Sequence, residues 1–236
     1  DFTNNGLSMQ GNNLFEANPG GAPCNVLAML AKHGRKTAFI GKVGKDMFGY
    51  QLKNVLEQVG IDTQNLIFDE EINTTLAFVQ TLADGDRDFS FYRNPGADMM
   101  LEESELQKDL LENTKIFHFG TLSMTHEKVR KATKTAIKIA KDSGALISFD
   151  PNLRPPLWKN LDEAKEQVAF GLAQCDVLKI ADNELYWFTG EKDFDAAIAM
   201  LQEQYAIPLI LLSLGKMGSR AYYKDLCVEV APFIQE

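Results

Sequence analysis

Apolar positions recur along this chain in two rhythms. Short strand-length apolar runs occupy residues 37–40, 115–119, 145–149, 176–180 and 208–212, the first bounded by Gly41 and Gly44. Between them the spacing lengthens to three or four residues. Leu52, Val55, Leu56 and Val59 share one helix face that stops at Gly60, and Val129, Ala132, Ala136, Ile137 and Ala140 share another within residues 127–141. Residues 161–173 and 194–204 repeat the helical pattern, and residues 26–31 give a further helix that closes at His33-Gly34. Strand runs alternating with amphipathic helices predict an α/β fold with a mainly parallel, doubly covered sheet.

Two stretches break the alternation. Residues 75–82 and 88–93 are rich in β-formers around Ala83-Asp84-Gly85-Asp86, which predicts a hairpin, and Asn94-Pro95-Gly96-Ala97-Asp98 turns the chain back. The hairpin reads as a small β lid over residues 66–98, set on an α/β domain of residues 1–65 and 99–236. A second hairpin, residues 219–223 and 226–230, closes the chain. Asp1-Phe2-Thr3 reads as the end of a strand and Phe233-Ile234-Gln235-Glu236 follows a strand-like run, so both ends look cut inside a domain.

At 236 residues and 45% hydrophobic, the chain is long enough for one large domain, and no apolar run nears the roughly 20 residues that span a bilayer. A net charge of -9 argues against nucleic acid or an anionic membrane as partner. Cys24, Cys175 and Cys227 stand apart without metal or disulfide spacing, so a reducing, cytoplasmic setting is the simplest expectation. Cys24 lies where a helix N-terminus could activate it, yet no histidine motif partners it, and a small buried cysteine is expected.

Candidate chemistry starts at Gly20-Gly21-Ala22-Pro23-Cys24-Asn25. Adjacent glycines allow backbone to approach a ligand, Pro23 suits a first helical turn, and Asn25 can donate to and accept from vicinal hydroxyls. A helix start with a glycine kink explains the stretch equally well. Further candidates follow the strands, because ligands of open parallel sheets collect at the strands' carboxyl ends. There Asp150-Pro151-Asn152-Leu153-Arg154 offers a guanidinium fork for phosphate or carboxylate oxygens. Ala181-Asp182-Asn183-Glu184 offers carboxylates for a helix cap or for hydrated magnesium. Ser213-Leu214-Gly215-Lys216-Met217-Gly218 is a glycine turn whose N–H groups could meet phosphate. Walker, GxGxxG, HExxH and GxSxG motifs are absent.

Taken together, Gly20 to Asn25, Gly34, and Gly41-Lys42-Val43-Gly44-Lys45-Asp46-Met47-Phe48-Gly49 resemble the first motif of the ribokinase-like, PfkB-type carbohydrate kinases. Phe91-Tyr92-Arg93-Asn94-Pro95-Gly96-Ala97-Asp98, Asp150 to Arg154, and Asp182-Asn183-Glu184 are especially similar to the bacterial fructokinases of that family. The resemblance runs in order along essentially the whole chain. It implies an α/β/α sandwich with a β lid and magnesium-assisted transfer of the ATP γ-phosphoryl group to a sugar hydroxyl, fructose foremost. Asp1, Gly20, Gly21, Asn25, Phe91 and Arg93 would bind the sugar. Arg154 would contact sugar or transferring phosphate, Glu184 would organise magnesium through water, and Ser213, Gly215 and Gly218 would line the nucleotide site. A homodimer through the lid is also implied.

Two departures stand out. Ala181 replaces the asparagine of the family's Asn-x-x-Glu pattern, and the Gly-Ala-Gly-Asp motif, whose Asp would be the general base, is expected beyond Glu236. Ribokinase and 2-keto-3-deoxygluconate kinase activities stay open within the class, as does a non-catalytic sugar sensor outside it.

Overall fold

The computed structural model describes residues 1–81 and 87–232. The turn expected at residues 83–86 and the end of the chain from residue 233 lie outside the described residues. The chain forms two compact units, residues 1–106 and residues 107–236.

The first unit runs β1 (Phe2–Leu7), β2 (Asn13–Ala17), α1 (Ala22–Lys32), β3 (Thr37–Gly44), α2 (Met47–Gln58), β4 (Ile61–Asp69), β5 (Leu76–Thr81) and β6 (Arg87–Tyr92). The expected hairpin pairs as β5 and β6, and β1 and β2 join it in one sheet of order β2-β1-β5-β6. Phe2 and Thr3 therefore open a strand, where the sequence suggested the end of one: they pair antiparallel with Ala17 and Glu16, and parallel with Phe78 and Val79. One face of this sheet is aromatic, Phe78 meeting Phe2, Phe15 and Tyr92 at ring separations of 5.0, 5.3 and 5.4 Å.

β3 and β4 form a separate parallel pair, and Leu66 to Asp69 continue it in register with Gly41 to Gly44. Its apolar side packs Val43, Leu56, Ile61 and Leu66 against Cys24, Leu27 and Ala28 of α1. Burial pushes the Cys24 thiol up to about 12, so it is an uncharged packing residue at neutral pH. Asp46 starts α2, its Oδ1 accepting from the N–H groups of Phe48 at 3.0 Å and Gly49 at 2.8 Å.

The second unit runs α3 (Lys108–Glu112), β7 (Ile116–Gly120), α4 (Glu127–Asp142), β8 (Leu146–Asp150), α5 (Leu161–Gln174), β9 (Val177–Ala181), α6 (Asp182–Thr189), α7 (Phe194–Tyr205), β10 (Leu209–Ser213), β11 (Ser219–Tyr223) and β12 (Leu226–Val230). Its six-stranded sheet has the order β12-β11-β10-β9-β8-β7, with β7 to β10 parallel and the closing hairpin antiparallel. Ile147, Phe149, Leu178, Ile180, Ile210 and Leu212 point to one face and are fully buried in a cluster that receives Ile137, Leu172, Leu185 and Ile198 from α4 to α7. Alternate positions on the opposite face carry the half-exposed Leu146 and Leu211 and the polar His118, Ser148, Asp150 and Lys179. Asn160 and Asp193 cap α5 and α7 by accepting from Glu163 N–H at 2.8 Å and Ala196 N–H at 2.9 Å. Among the described residues no helix is long and apolar enough to cross a membrane.

Candidate active site

In the first unit the structure brings Asp1, Gly20 and Phe91 to one end of the four-stranded sheet. Asp1 is bracketed by Asn18, donating to its carbonyl at 2.9 Å and accepting from its N–H at 2.7 Å. This holds the Asp1 carboxylate over Gly20, so close that a Cβ on Gly20 would lie 2.1 Å from Oδ2. A side chain at Gly20 would push the Asp1 carboxylate out of this position. Phe91 pairs with Ala77, one residue before the Phe78 that pairs with Phe2, and so sits at the end of the sheet where Asp1 stands.

Gly21 caps α1 with φ +116°, a conformation reserved for glycine, and Pro23 falls in the first turn as expected. α1 begins at Ala22, which makes Asn25 its fourth residue; its N–H donates to the Gly21 carbonyl at 3.1 Å and its side chain is exposed. An exposed carboxylate, open glycine backbone and an exposed amide suit a polyhydroxylated ligand, whose hydroxyls both donate and accept.

Arg93 is placed inward, against Asp98. Its side chain is only 3% exposed, and Nε and Nη2 donate to Asp98 Oδ2 at 2.8 and 2.5 Å. A buried guanidinium requires a partner, and Asp98, five residues on, supplies it across the 94–98 turn. Two nitrogens of the fork are thereby committed to Asp98.

In the second unit Gly120, Asp150, Ala181 and Ser213 end four adjacent parallel strands, which gathers the loops after them at one sheet edge. The loop bearing Arg154 is fixed by its neighbours. Thr121, fully buried, donates to the Pro151 carbonyl from N at 3.2 Å and from Oγ1 at 2.5 Å. Asp150 Oδ1 accepts from Asn152 N–H at 3.2 Å, and Leu153 N–H donates to Glu184 Oε1 at 2.7 Å. Arg154 itself is half-buried, with Nη1 donating to the Leu153 carbonyl at 3.1 Å.

Glu184 is buried, and its second oxygen, Oε2, accepts from Ala181 N–H at 3.0 Å. The helix-cap role is therefore real, and the same carboxylate ties α6 to the Arg154 loop. No group of three or more metal-ligating side chains occurs among the described residues. Hydrated magnesium needs no such cage, since one carboxylate reached through water suffices, and each Glu184 oxygen keeps a lone pair beyond its single backbone donor.

The Ser213 to Gly218 turn forms as expected, but Met217 and Gly218 spend their N–H groups on Leu214 and Gly215 carbonyls at 3.0 and 3.2 Å. Those two donors are not aimed at phosphate. Ser213 Oγ contacts the Ile180 carbonyl at 3.4 Å.

Sequence reasoning passed over the polar face between these loops. Lys179 Nζ lies 3.3 Å from Asp150 Oδ2, and His118 Nδ1 is 2.9 Å from Ser148 Oγ. Burial pushes the Asp150 carboxyl up, opposed by Lys179, the Asn152 N–H and Arg154, while burial and then the Lys179 charge push His118 down. The signal was available: Lys179 and His118 are lone polar residues inside apolar strand runs.

Polar loops gathered at the ends of parallel strands, in a chain that also sets a carboxylate over a glycine turn, suit the class of α/β small-molecule kinases. The chain belongs to the pfkB family of carbohydrate kinases, whose profile matches residues 7–236. It is 41% identical over 231 residues to probable fructokinase-2 of Arabidopsis thaliana, covering 98% of this chain and 70% of that protein. Fructokinase with bound ATP from Xylella fastidiosa superposes with TM-score 0.87 at 31% identity, over 97% of this chain and 73% of that one. Fructokinase from Vibrio cholerae O395 in its fructose, ADP and calcium ion bound form gives 0.85 at 28%, over 100% and 75%.

Proposed function

We propose that the sugar phosphorylated by this carbohydrate kinase is D-fructose, with ATP as donor and fructose 6-phosphate as product. The observation that carries this reading is the convergence of Asp1, Gly20 and Phe91, a neutral-polyol floor, in a chain 41% identical to a probable fructokinase and structurally similar to a fructose- and ADP-bound one. The neutralisation of Arg93 by Asp98 also favours a neutral sugar over an acidic one such as 2-keto-3-deoxygluconate.

Asp1 accepts hydrogen bonds from sugar hydroxyls, Asn25 donates and accepts beside it, and the Gly20-Gly21 backbone forms the floor against which Phe91 presents an apolar face. Arg154 pairs with the phosphoryl oxygens whose charge grows during transfer, from a loop already held by Thr121 and Glu184, so no reorganisation is needed at the moment of reaction. Ser213, Gly215 and Gly218 shape the nucleotide's end of the sheet edge. Glu184 would hold a magnesium ion, which would supply neutralisation of phosphate charge. The hairpin β5–β6, read as a lid, keeps water from competing with the sugar for the phosphoryl group. The three cysteines are free, in keeping with a cytoplasmic enzyme, and β2, an edge strand exposed along its length, offers the edge for a homodimer.

A panel of fructose, ribose and 2-keto-3-deoxygluconate, assayed with the full-length protein, tests the choice of sugar. Fructose should give the highest kcat/KM, and a higher value for either of the others would overturn the assignment. Asn25→Ala should raise the KM for fructose five- to thirtyfold, about 1 to 2 kcal/mol for one lost hydroxyl pair, and leave the KM for ATP within twofold. Equal effects on both substrates would count against the role of Asn25.

A further inference from the structure

The hairpin β5–β6 is entered through residues 70–75 and left through residues 93–98, and these two segments are fastened to each other. Ala97 N–H donates to the Asn73 carbonyl at 3.0 Å. Asp98 holds both segments with one carboxylate: Oδ1 accepts from Thr75 Oγ1 at 2.5 Å, and Oδ2 accepts from Nε and Nη2 of Arg93 at 2.8 and 2.5 Å.

A second fastening ties the entering segment to the start of α2. Asp46 Oδ2 accepts from Thr74 N–H at 2.8 Å, Oδ1 accepts from Thr74 Oγ1 at 2.8 Å, and that hydroxyl accepts from Gly44 N–H at 3.0 Å. Burial disfavours the Asp46 charge, but the hydrogen bonds from Thr74, Gly49 and Phe48 outweigh it and hold the carboxyl below its ordinary value. Both flanks are closely packed. A Cβ on Gly44 would lie 2.5 Å from Thr74 N, and one on Gly96 would lie 1.8 Å from Thr75 Oγ1.

We propose that Asp98 is a positioning residue for sugar phosphorylation: by gripping Thr75 and Arg93 together, it sets the angle at which β6 presents Phe91. The inference rests on the reading of residues 66–98 as a lid over the sugar. It gives buried Arg93 a task, since the guanidinium neutralises the carboxylate that forms the clasp. It also explains why a polar cluster is maintained between two connecting segments, where apolar contacts would hold the fold but not one hinge angle.

Loosening the clasp has consequences that a loss of stability alone does not. A lid at the wrong angle weakens sugar binding and admits water, so ATP is hydrolysed without sugar being phosphorylated. The test compares wild-type, Thr75→Val and Thr75→Ser forms of the full-length enzyme. The valine keeps the shape but removes the hydroxyl, whereas the serine keeps the hydroxyl. Thr75→Val is expected to raise the fructose KM about tenfold, leave the ATP KM within twofold, and increase the share of ATP spent without fructose phosphorylated. Thr75→Ser should restore all three.

Faster hydrogen exchange at the Thr74 and Ala97 amides of the folded Thr75→Val protein would support the clasp independently of turnover. Unchanged fructose KM and coupling in folded Thr75→Val, beside an active wild type, would overturn the proposal while leaving the kinase reading intact. A wild type inert toward every sugar would overturn both.

Discussion

Gly218→Ala is expected to destabilise the second unit by about 3 kcal/mol or more, seen as a lower denaturant midpoint with an unchanged slope. Two costs combine at this position. Its backbone sits at φ +96° and ψ -137°, a region that residues with a Cβ avoid. An added Cβ would also stand 2.1 Å from the Val230 carbonyl oxygen, with Pro232 N and Ala231 C at 3.1 and 3.2 Å. These are backbone atoms that cannot swing aside as a flexible side chain would.

Gly215, in the same turn, supplies the control. It has φ +55°, and nothing lies within 4 Å of an added Cβ, so Gly215→Ala should cost only the left-handed strain of about 1 to 2 kcal/mol. Equal losses for the two substitutions would show that contact with β12 is not what fixes Gly218.

Arg154→Ala is expected to lower kcat by about 10²- to 10³-fold, near 3 to 4 kcal/mol of lost transition-state stabilisation, with the melting temperature little changed. The loop has several ties besides the Arg154 Nη1 bond to the Leu153 carbonyl. Thr121 grips the Pro151 carbonyl, Asp150 meets the Asn152 N–H and Lys179, and Glu184 takes the Leu153 N–H. The loss should therefore fall on turnover. Arg154→Lys should recover only part of it, because an ammonium cannot present a planar pair of donors to two phosphoryl oxygens. Steady-state measurement of ADP release decides the matter, and a fall in kcat below threefold would remove Arg154 from the chemistry.

The alternating core of the second unit was legible because its signals are local. Strand runs ending at residues 119, 149, 180 and 212, separated by amphipathic helices, became β7 to β10 in parallel order, and Gly20-Gly21-Ala22-Pro23 became the start of α1. The hairpin was legible for the same reason. β1 and β2 were not: Phe2–Leu7 contains Thr3, Asn4, Asn5 and Gly6, and β2 is exposed throughout, so no apolar periodicity announces either strand. Their order comes from pairing with each other and, for β1, with β5, partners distant in sequence. β4 was not legible, and its last residues, 66–69, were assigned to the lid: its first half, Ile-Asp-Thr-Gln-Asn, is mostly polar, and its order comes from pairing with β3.

Among the site residues, distance along the chain governed what could be foreseen. Arginine in a Phe-Tyr-Arg run reads the same whether it faces ligand or is buried, and only the folded 94–98 turn reveals that Asp98 claims it. Glu184 could be read as a cap or as a magnesium partner, and its grip on Leu153, 31 residues earlier, explains why a cap residue would also matter to the loop that carries Arg154. The polar positions within the strand runs were the least legible: Lys179 and Asp150 pair on the face that also carries Leu146 and Leu211.

The most direct test is product analysis of the full-length protein given D-fructose, ATP and magnesium. Fructose 6-phosphate and ADP should form one for one, with ATP stable when fructose is omitted, if the chain is the fructose kinase proposed. ATP left intact in the presence of fructose and of every other common sugar would contradict it.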